Sequence, residues 1–97
     1  FHGYLPIDEN RRKKQLQDLE QESASESRTQ IFMETPHRNT SLLKQLLDTC
    51  RPSSKLCIAC NLTADDEFLK TKRVMEWKKA ELPDLQKKPC LFLLYAN

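Results

Sequence analysis

The chain has 97 residues, 38% of them hydrophobic and 31% charged, with a formal net charge of +2 from 16 basic and 14 acidic side chains. That length makes one small domain, and the composition is that of a soluble globular protein rather than a disordered one. So balanced a charge excludes a global electrostatic reason to bind nucleic acid or membrane, and the longest apolar run, Cys90-Leu91-Phe92-Leu93-Leu94-Tyr95, is far too short to cross a bilayer.

Phe1 to Pro6, reading FHGYLP, is an aromatic entry segment closed by proline, in which the only glycine, Gly3, suits a tight or close-packed backbone position. No signal peptide is visible, and a start at phenylalanine rather than methionine leads us to expect a fragment of a longer protein. Asp8 is placed to cap a helix over residues 10–23, whose apolar face is a narrow stripe of Leu16 and Leu19. The serine-rich run 23–27 reads as the loop that follows.

Residues 29–33 form a strand. Asn39 or Thr40 then caps a second helix with a full apolar stripe of Leu42, Leu43, Leu46 and Leu47, ended by Pro52. Residues 56–60 are a strand apolar on both faces, and residues 68–72 an edge strand guarded by Lys70 and Lys72. Residues 74–80 read as a short helix in which Met75 and Trp77 pack, residues 84–88 as a loop, and Pro89 opens a last strand, again apolar on both faces, over 90–95. Helices alternating with apolar strands predict an α/β fold: a single small three-layer domain with a mixed central sheet of about four to five strands flanked by helices.

Four cysteines are present, and Cys57-Ile58-Ala59-Cys60 has the two-residue gap of redox and zinc motifs. The pair lies within an apolar strand, residues three apart point to opposite faces, and no second ligand pair follows. The expectation is therefore no metal, and buried thiols acting as small hydrophobes in a reducing cytoplasm.

Ligands of such sheets gather beyond the carboxyl ends of the strands. One strand ends at Met33-Glu34-Thr35-Pro36-His37-Arg38 and the next at Asn61-Leu62-Thr63; if both run the same way, the two polar clusters share an edge. Glu34, His37 and Arg38 have the chemistry of a base, an acid and an anion clamp, but directly before a helix they equally brace a turn, with Glu34 paired to Arg38. Asn61 and Thr63 have a turn or cap as their plain reading. One glycine cannot make a phosphate loop, no nucleophile elbow exists, and no catalytic residue is assigned. The runs Arg11-Arg12-Lys13-Lys14 and Lys87-Lys88 could touch phosphate, but read first as a solvated helix face and loop.

In order, FHGYLP, Arg11-Arg12, TQIFMETPHRN, LCIACNLT with Glu67-Phe68, and KPCLFLLY resemble the C-terminal domain of the tetrapyrrole methylase superfamily, the class III S-adenosylmethionine-dependent methyltransferases. The closest branch is ribosomal RNA small-subunit methyltransferase I, which methylates a ribose 2′-oxygen and reads F-x-G-F-L-P, E-S-P-H-R and R-E-L-T; Cys60-Asn61 here stand where that branch has Arg-Glu. The resemblance covers essentially all of residues 1–97 and implies the C-terminal half of a two-domain enzyme, without the N-terminal domain and inactive alone. It implies S-adenosyl-L-methionine as cofactor, RNA as the parent's substrate, a cytoplasmic homodimer, and no membrane. By position it places the adenine contacts at Phe32, Met33, Cys60, Asn61, Leu62, Pro89, Cys90 and Leu91, with Glu34, His37 and Arg38 on the substrate side or structural. Such a base needs hydrophobic walls and strand-end backbone groups. The alternatives are a tetrapyrrole-precursor methylase domain, and a non-catalytic RNA- or partner-binding module using the basic helix.

Overall fold

The computed structural model describes residues 1–62 and 64–96, so the expectation for Thr63 lies outside the described residues. Three helices, α1 (Glu9–Glu26), α2 (Asn39–Thr49) and α3 (Val74–Lys79), alternate with four strands, β1 (Gln30–Met33), β2 (Lys55–Cys60), β3 (Phe68–Arg73) and β4 (Cys90–Tyr95). The Asp8 carboxylate accepts from the N–H groups of Asn10 and Arg11, satisfying two donors that the first turn of α1 leaves free. The helix continues three residues past its expected end and stops at Ser27 in the left-handed conformation. The serine run stays helical because Ser23 is fully buried, and its hydroxyl accepts the Ala96 N–H at 2.9 Å.

Asn39 does not cap α2. A short 3₁₀ turn, Pro36–Arg38, leads into that helix, and the buried Asn39 amide donates instead to the carbonyls of Leu85 (3.2 Å) and Lys88 (2.6 Å). The expected loop is thus pinned to the helix start, and Leu85 joins the core. In α3, Trp77 packs as expected and donates its indole N–H to the Leu56 carbonyl at 2.9 Å, whereas Met75 is 40% exposed and does not pack.

The strand order is β1-β4-β2-β3, with every neighbouring pair antiparallel. The one parallel element described is an isolated bridge from Tyr4 to Met33 at the β1 edge. Gly3, at φ +66°, turns the entry segment onto that edge; a side chain there would meet nothing, so its role is conformational and not close packing. Because β4 runs against both of its neighbours, β1 and β2 run parallel to one another. Their carboxyl ends therefore lie at the same edge of the sheet, beside the start of β4.

Alternation along the strands sorts the side chains. Phe32, Leu56, Ile58, Cys60, Cys90, Phe92 and Leu94 share one core with Leu16, Leu19, the four leucines of α2, Val74 and Trp77. Ile31, Met33, Cys57, Ala59, Leu69, Leu91, Leu93 and Tyr95 face the other way, most of them half-buried and Leu69 59% exposed. The α/β class is as expected and the four strands fall within the expected four to five, but the sheet expected to be mixed is antiparallel, and the helices collect on one face, so the expected three layers are two among the described residues. Apolar residues on both faces of β2 and β4 record a face that is apolar and yet has no helix over it.

Candidate cofactor cleft

Register aligns one row of the open face across the whole sheet: Tyr4 opposite Met33, Met33 opposite Leu91, Leu91 opposite Ala59, and Ala59 opposite Leu69. Above this row the chain leaves β2 through Asn61, which takes the left-handed conformation at φ 50° and donates its N–H to the Pro89 carbonyl at 3.0 Å. Its side-chain amide donates to Asp66 at 2.9 Å and closes the turn. Row and turn together make a cavity of about 370 Å³ lined by Met33, Ala59, Asn61, Leu62, Ala64, Pro89, Cys90 and Leu91. The small side chains of Ala59 and Ala64 leave the room, and Met33, Leu62 and Leu91 supply apolar walls.

Six of the eight residues assigned to adenine contact come together there. Phe32 does not. It is fully buried on the helix side, stacked on Phe92 with ring centroids 6.1 Å apart, because neighbours in a strand face opposite ways and Met33 takes the cleft. Cys60 also points to the helix side. Contrary to the expectation of free thiols, it forms a disulfide with Cys90, its direct cross-strand partner, at a Cα–Cα distance of 4.1 Å. A sequence separation of 30 conceals that pairing, which strand register creates. Ala59 and Ala64 were missed; alternation from Met33 and Leu91 across the sheet was the available signal for Ala59.

Cys50 and Cys57 are free. The Cys50 thiol is pushed up to about 12, first by burial and then by the nearby Glu20 carboxylate, which also accepts from the Arg51 N–H at 2.8 Å and the Ser54 hydroxyl at 2.6 Å. Below pH 9.0 folded and unfolded chains both hold this proton; between 9.0 and about 12 only the unfolded chain releases it, so stability falls as pH rises through that window. In urea titrations from pH 8 to 11, Cys50→Ala is expected to flatten this decline; an unchanged slope would refute the assignment.

Glu34, His37 and Arg38 do not line the cleft. Glu34 is buried and takes four donors: the Thr35 N–H at 2.7 Å, the Thr35 hydroxyl at 3.4 Å and Arg38 Nε at 3.2 Å on one oxygen, and Arg12 Nη1 at 3.2 Å on the other. Arg12 also donates to the Gln45 amide oxygen and, at 3.2 Å, to the Ser41 hydroxyl. Beta strand end, first helix and second helix are thereby tied at one point, so these side chains brace the turn. Arg12 was read as part of a solvated basic run, yet it lies four residues before Leu16, on the buried stripe. Lys14 of the same run pairs with Asp18 at 3.0 Å, so the run does not form one free cationic strip. His37 contacts Arg38 at 3.0 Å and borders a groove of about 680 Å³ between α1 and α2, where Lys13 and Lys44 are offset by Glu9 and Asp48.

No known family profile and no curated protein matches the chain. Among solved structures, the methyltransferase CobJ superposes with a TM-score of 0.54 at 15% identity, over 98% of this chain and 40% of that one. The likeness is one of fold. Uroporphyrin-III C-methyltransferase from Thermus thermophilus gives a TM-score of 0.45 at 20% identity, over 70% of this chain and 30% of that one. Its complex with S-adenyl homocysteine gives 0.43 at 21%, over 69% and 30%. Of the three, CobJ alone has a score high enough to establish a shared fold, and this chain spans about 40% of its length. Among the described residues no cluster of His, Cys, Asp or Glu could hold a metal ion, and no helix is long and apolar enough to cross a membrane.

Proposed function

We propose that this domain is the C-terminal, cleft-completing half of an S-adenosylmethionine-dependent methyltransferase that acts on RNA as a cytoplasmic homodimer. The observation that carries the reading is the half-open cavity at the shared edge of β1, β2 and β4. It combines apolar walls, two small side chains and a strand-end turn, and its other side is free for a second wall. That donor set fits an adenosyl group: Met33, Leu62 and Leu91 would flank the base, and Ala59 would floor it. When bound, such a cofactor supplies a methyl group on a positively charged sulfur. This chain's part is to hold and orient the adenosyl end and keep water from it, since methyl transfer depends chiefly on alignment. The fold shared with CobJ over nearly all of this chain supports the reading, as does the order of the motifs. RNA as substrate rests on the likeness of Glu34-Thr35-Pro36-His37-Arg38 to one branch, and the open apolar sheet face supports self-association.

The test is a titration of the chain with S-adenosylhomocysteine, followed by methyl NMR. Shifts confined to Met33, Ala59, Leu62, Leu91 and their neighbours are expected, with the affinity of a half-site, on the order of millimolar. Absence of any shift at those methyls at millimolar ligand would overturn the cofactor reading. Competition for the two-domain parent between a ribosomal RNA fragment and a tetrapyrrole precursor decides the substrate, and turnover of the tetrapyrrole alone would transfer the assignment to that class.

A further inference from the structure

We propose that Cys60 and Cys90 form a redox clasp, a thiol–disulfide exchange site whose state sets the rigidity of the cleft wall. Each cysteine is chained directly to that wall: Asn61 and Leu62 follow Cys60, while Pro89 and Leu91 flank Cys90. The two are exact register partners at the last pair of the β2–β4 ladder, where a strand pair would otherwise fray. Beyond the disulfide and the ladder pairing of Ala59 with Leu91, the described tie between the two wall segments is the Asn61 N–H to Pro89 carbonyl bond. The other described backbone bonds of the turn, Ala64 to Asn61 and Glu67 to Ala64, are internal to it and do not anchor it to the sheet.

No other thiol of this chain can exchange with the pair in place. Cys57 faces the opposite side of β2, opposite Leu93 and Thr71, and Cys50 precedes β2 at its other end with a thiol that stays protonated. Both cysteines are buried, so exchange requires this last pair of the ladder to open; on the helix side Cys60 borders a separate cavity of about 350 Å³ whose lining includes Asp66, Glu67 and Asp84 against Lys88. An acidic mouth selects among redox partners by charge: it favours a cationic disulfide and disfavours an anionic one. Closing the clasp joins two thiols as one disulfide. Their two protons and two electrons pass to the incoming disulfide, cystamine for example, which leaves as two cysteamine molecules. Dithiothreitol reverses this and departs as its cyclic disulfide.

The experiment uses the 97-residue chain in both states. Iodoacetamide labelling in denaturant is expected to add two groups after cystamine, on Cys50 and Cys57, and four after dithiothreitol. In the native state, reduction is expected to speed hydrogen exchange in the amides of Asn61, Leu62 and residues 64–67 about tenfold or more and to lower Tm on the order of 10 °C. Cystamine should close the clasp several times faster than glutathione disulfide at low salt, with the difference shrinking as salt rises. Four labels after cystamine, or identical exchange of the turn in both states, would overturn the proposal. The Cys60→Ala/Cys90→Ala variant should lose the redox response and Cys57→Ala should keep it; if the double variant does not fold, the comparison of the two wild-type states decides alone. Coupling to ligand rests on the cofactor reading and separates from it: redox-dependent exchange without S-adenosylhomocysteine binding in either state upholds the clasp and defeats that reading.

Discussion

Glu34→Ala is expected to lose about 3–5 kcal/mol of folding stability, the loss seen when one partner of a buried ion pair is removed. Against a total of roughly 5–15 kcal/mol for a domain of this kind, that leaves much of the chain unfolded under mild conditions. The reason lies in what remains. Arg12 keeps its charge beneath α2 with only two neutral acceptors, Gln45 and Ser41, while the Thr35 N–H loses its carboxylate. Breaking the pair therefore costs far more than a surface bridge such as Lys14–Asp18, which contributes about 0.3–0.5 kcal/mol. Urea denaturation measures the difference, and a loss below about 1 kcal/mol would show that the network does not bear on stability. Replacing both charges, Arg12→Met with Glu34→Leu, should cost clearly less than the two single losses added, because the one charge then left without its partner, Arg38, reaches solvent whereas Arg12 does not.

The second large effect separates function from fold across one peptide bond. Leu91 looks into the cleft, half-buried between Met33 and Ala59, while Phe92 is fully buried on the other side against Phe32. Leu91→Asp puts a carboxylate where the cofactor reading places an adenine wall, and the affinity of this chain for S-adenosylhomocysteine should fall about tenfold or more relative to the unsubstituted parent chain. Its melting temperature should stay near that of the parent, because the side chain already reaches solvent. Phe92→Ala should do the reverse, costing about 3–5 kcal/mol of stability by opening a cavity in the core. Titration and thermal melting of both variants give a crossed pattern. An affinity within threefold of the parent for Leu91→Asp would sink the assignment of the cleft.

Much of the architecture was legible because local chemistry and periodicity report it directly. Asp8 before a helical stripe, proline after α2, and runs of β-formers at residues 56–60 and 90–95 are signals carried by neighbours in sequence. The common edge for the ends of β1 and β2 follows from the rule for strand ends once the two run the same way, whereas Met33, Asn61, Leu62, Pro89 and Leu91 were placed at the cleft by the resemblance. What misled was a pattern that has two physical causes. A strand apolar on both faces is consistent with helices above and below, and equally with one face covered and one left open.

Composition and spacing alone gave one small α/β domain with three helices' worth of 3.6-residue periodicity, about four to five strands, and a polar turn after the strand at Met33. Only the tertiary structure decided that β4 inserts between β1 and β2, and from that single placement the rest follows. It brings Cys60 opposite Cys90, aligns Tyr4, Met33, Leu91, Ala59 and Leu69 in one row, and leaves the apolar face open. It also took the packing of α1 on α2 to bury Arg12 against Glu34. Apart from the Ala59–Leu69 step of the row, each of these pairs residues 20 or more positions apart or selects one of two sheet faces. Such choices depend on register and burial summed over the whole domain, and no local run of residues encodes them.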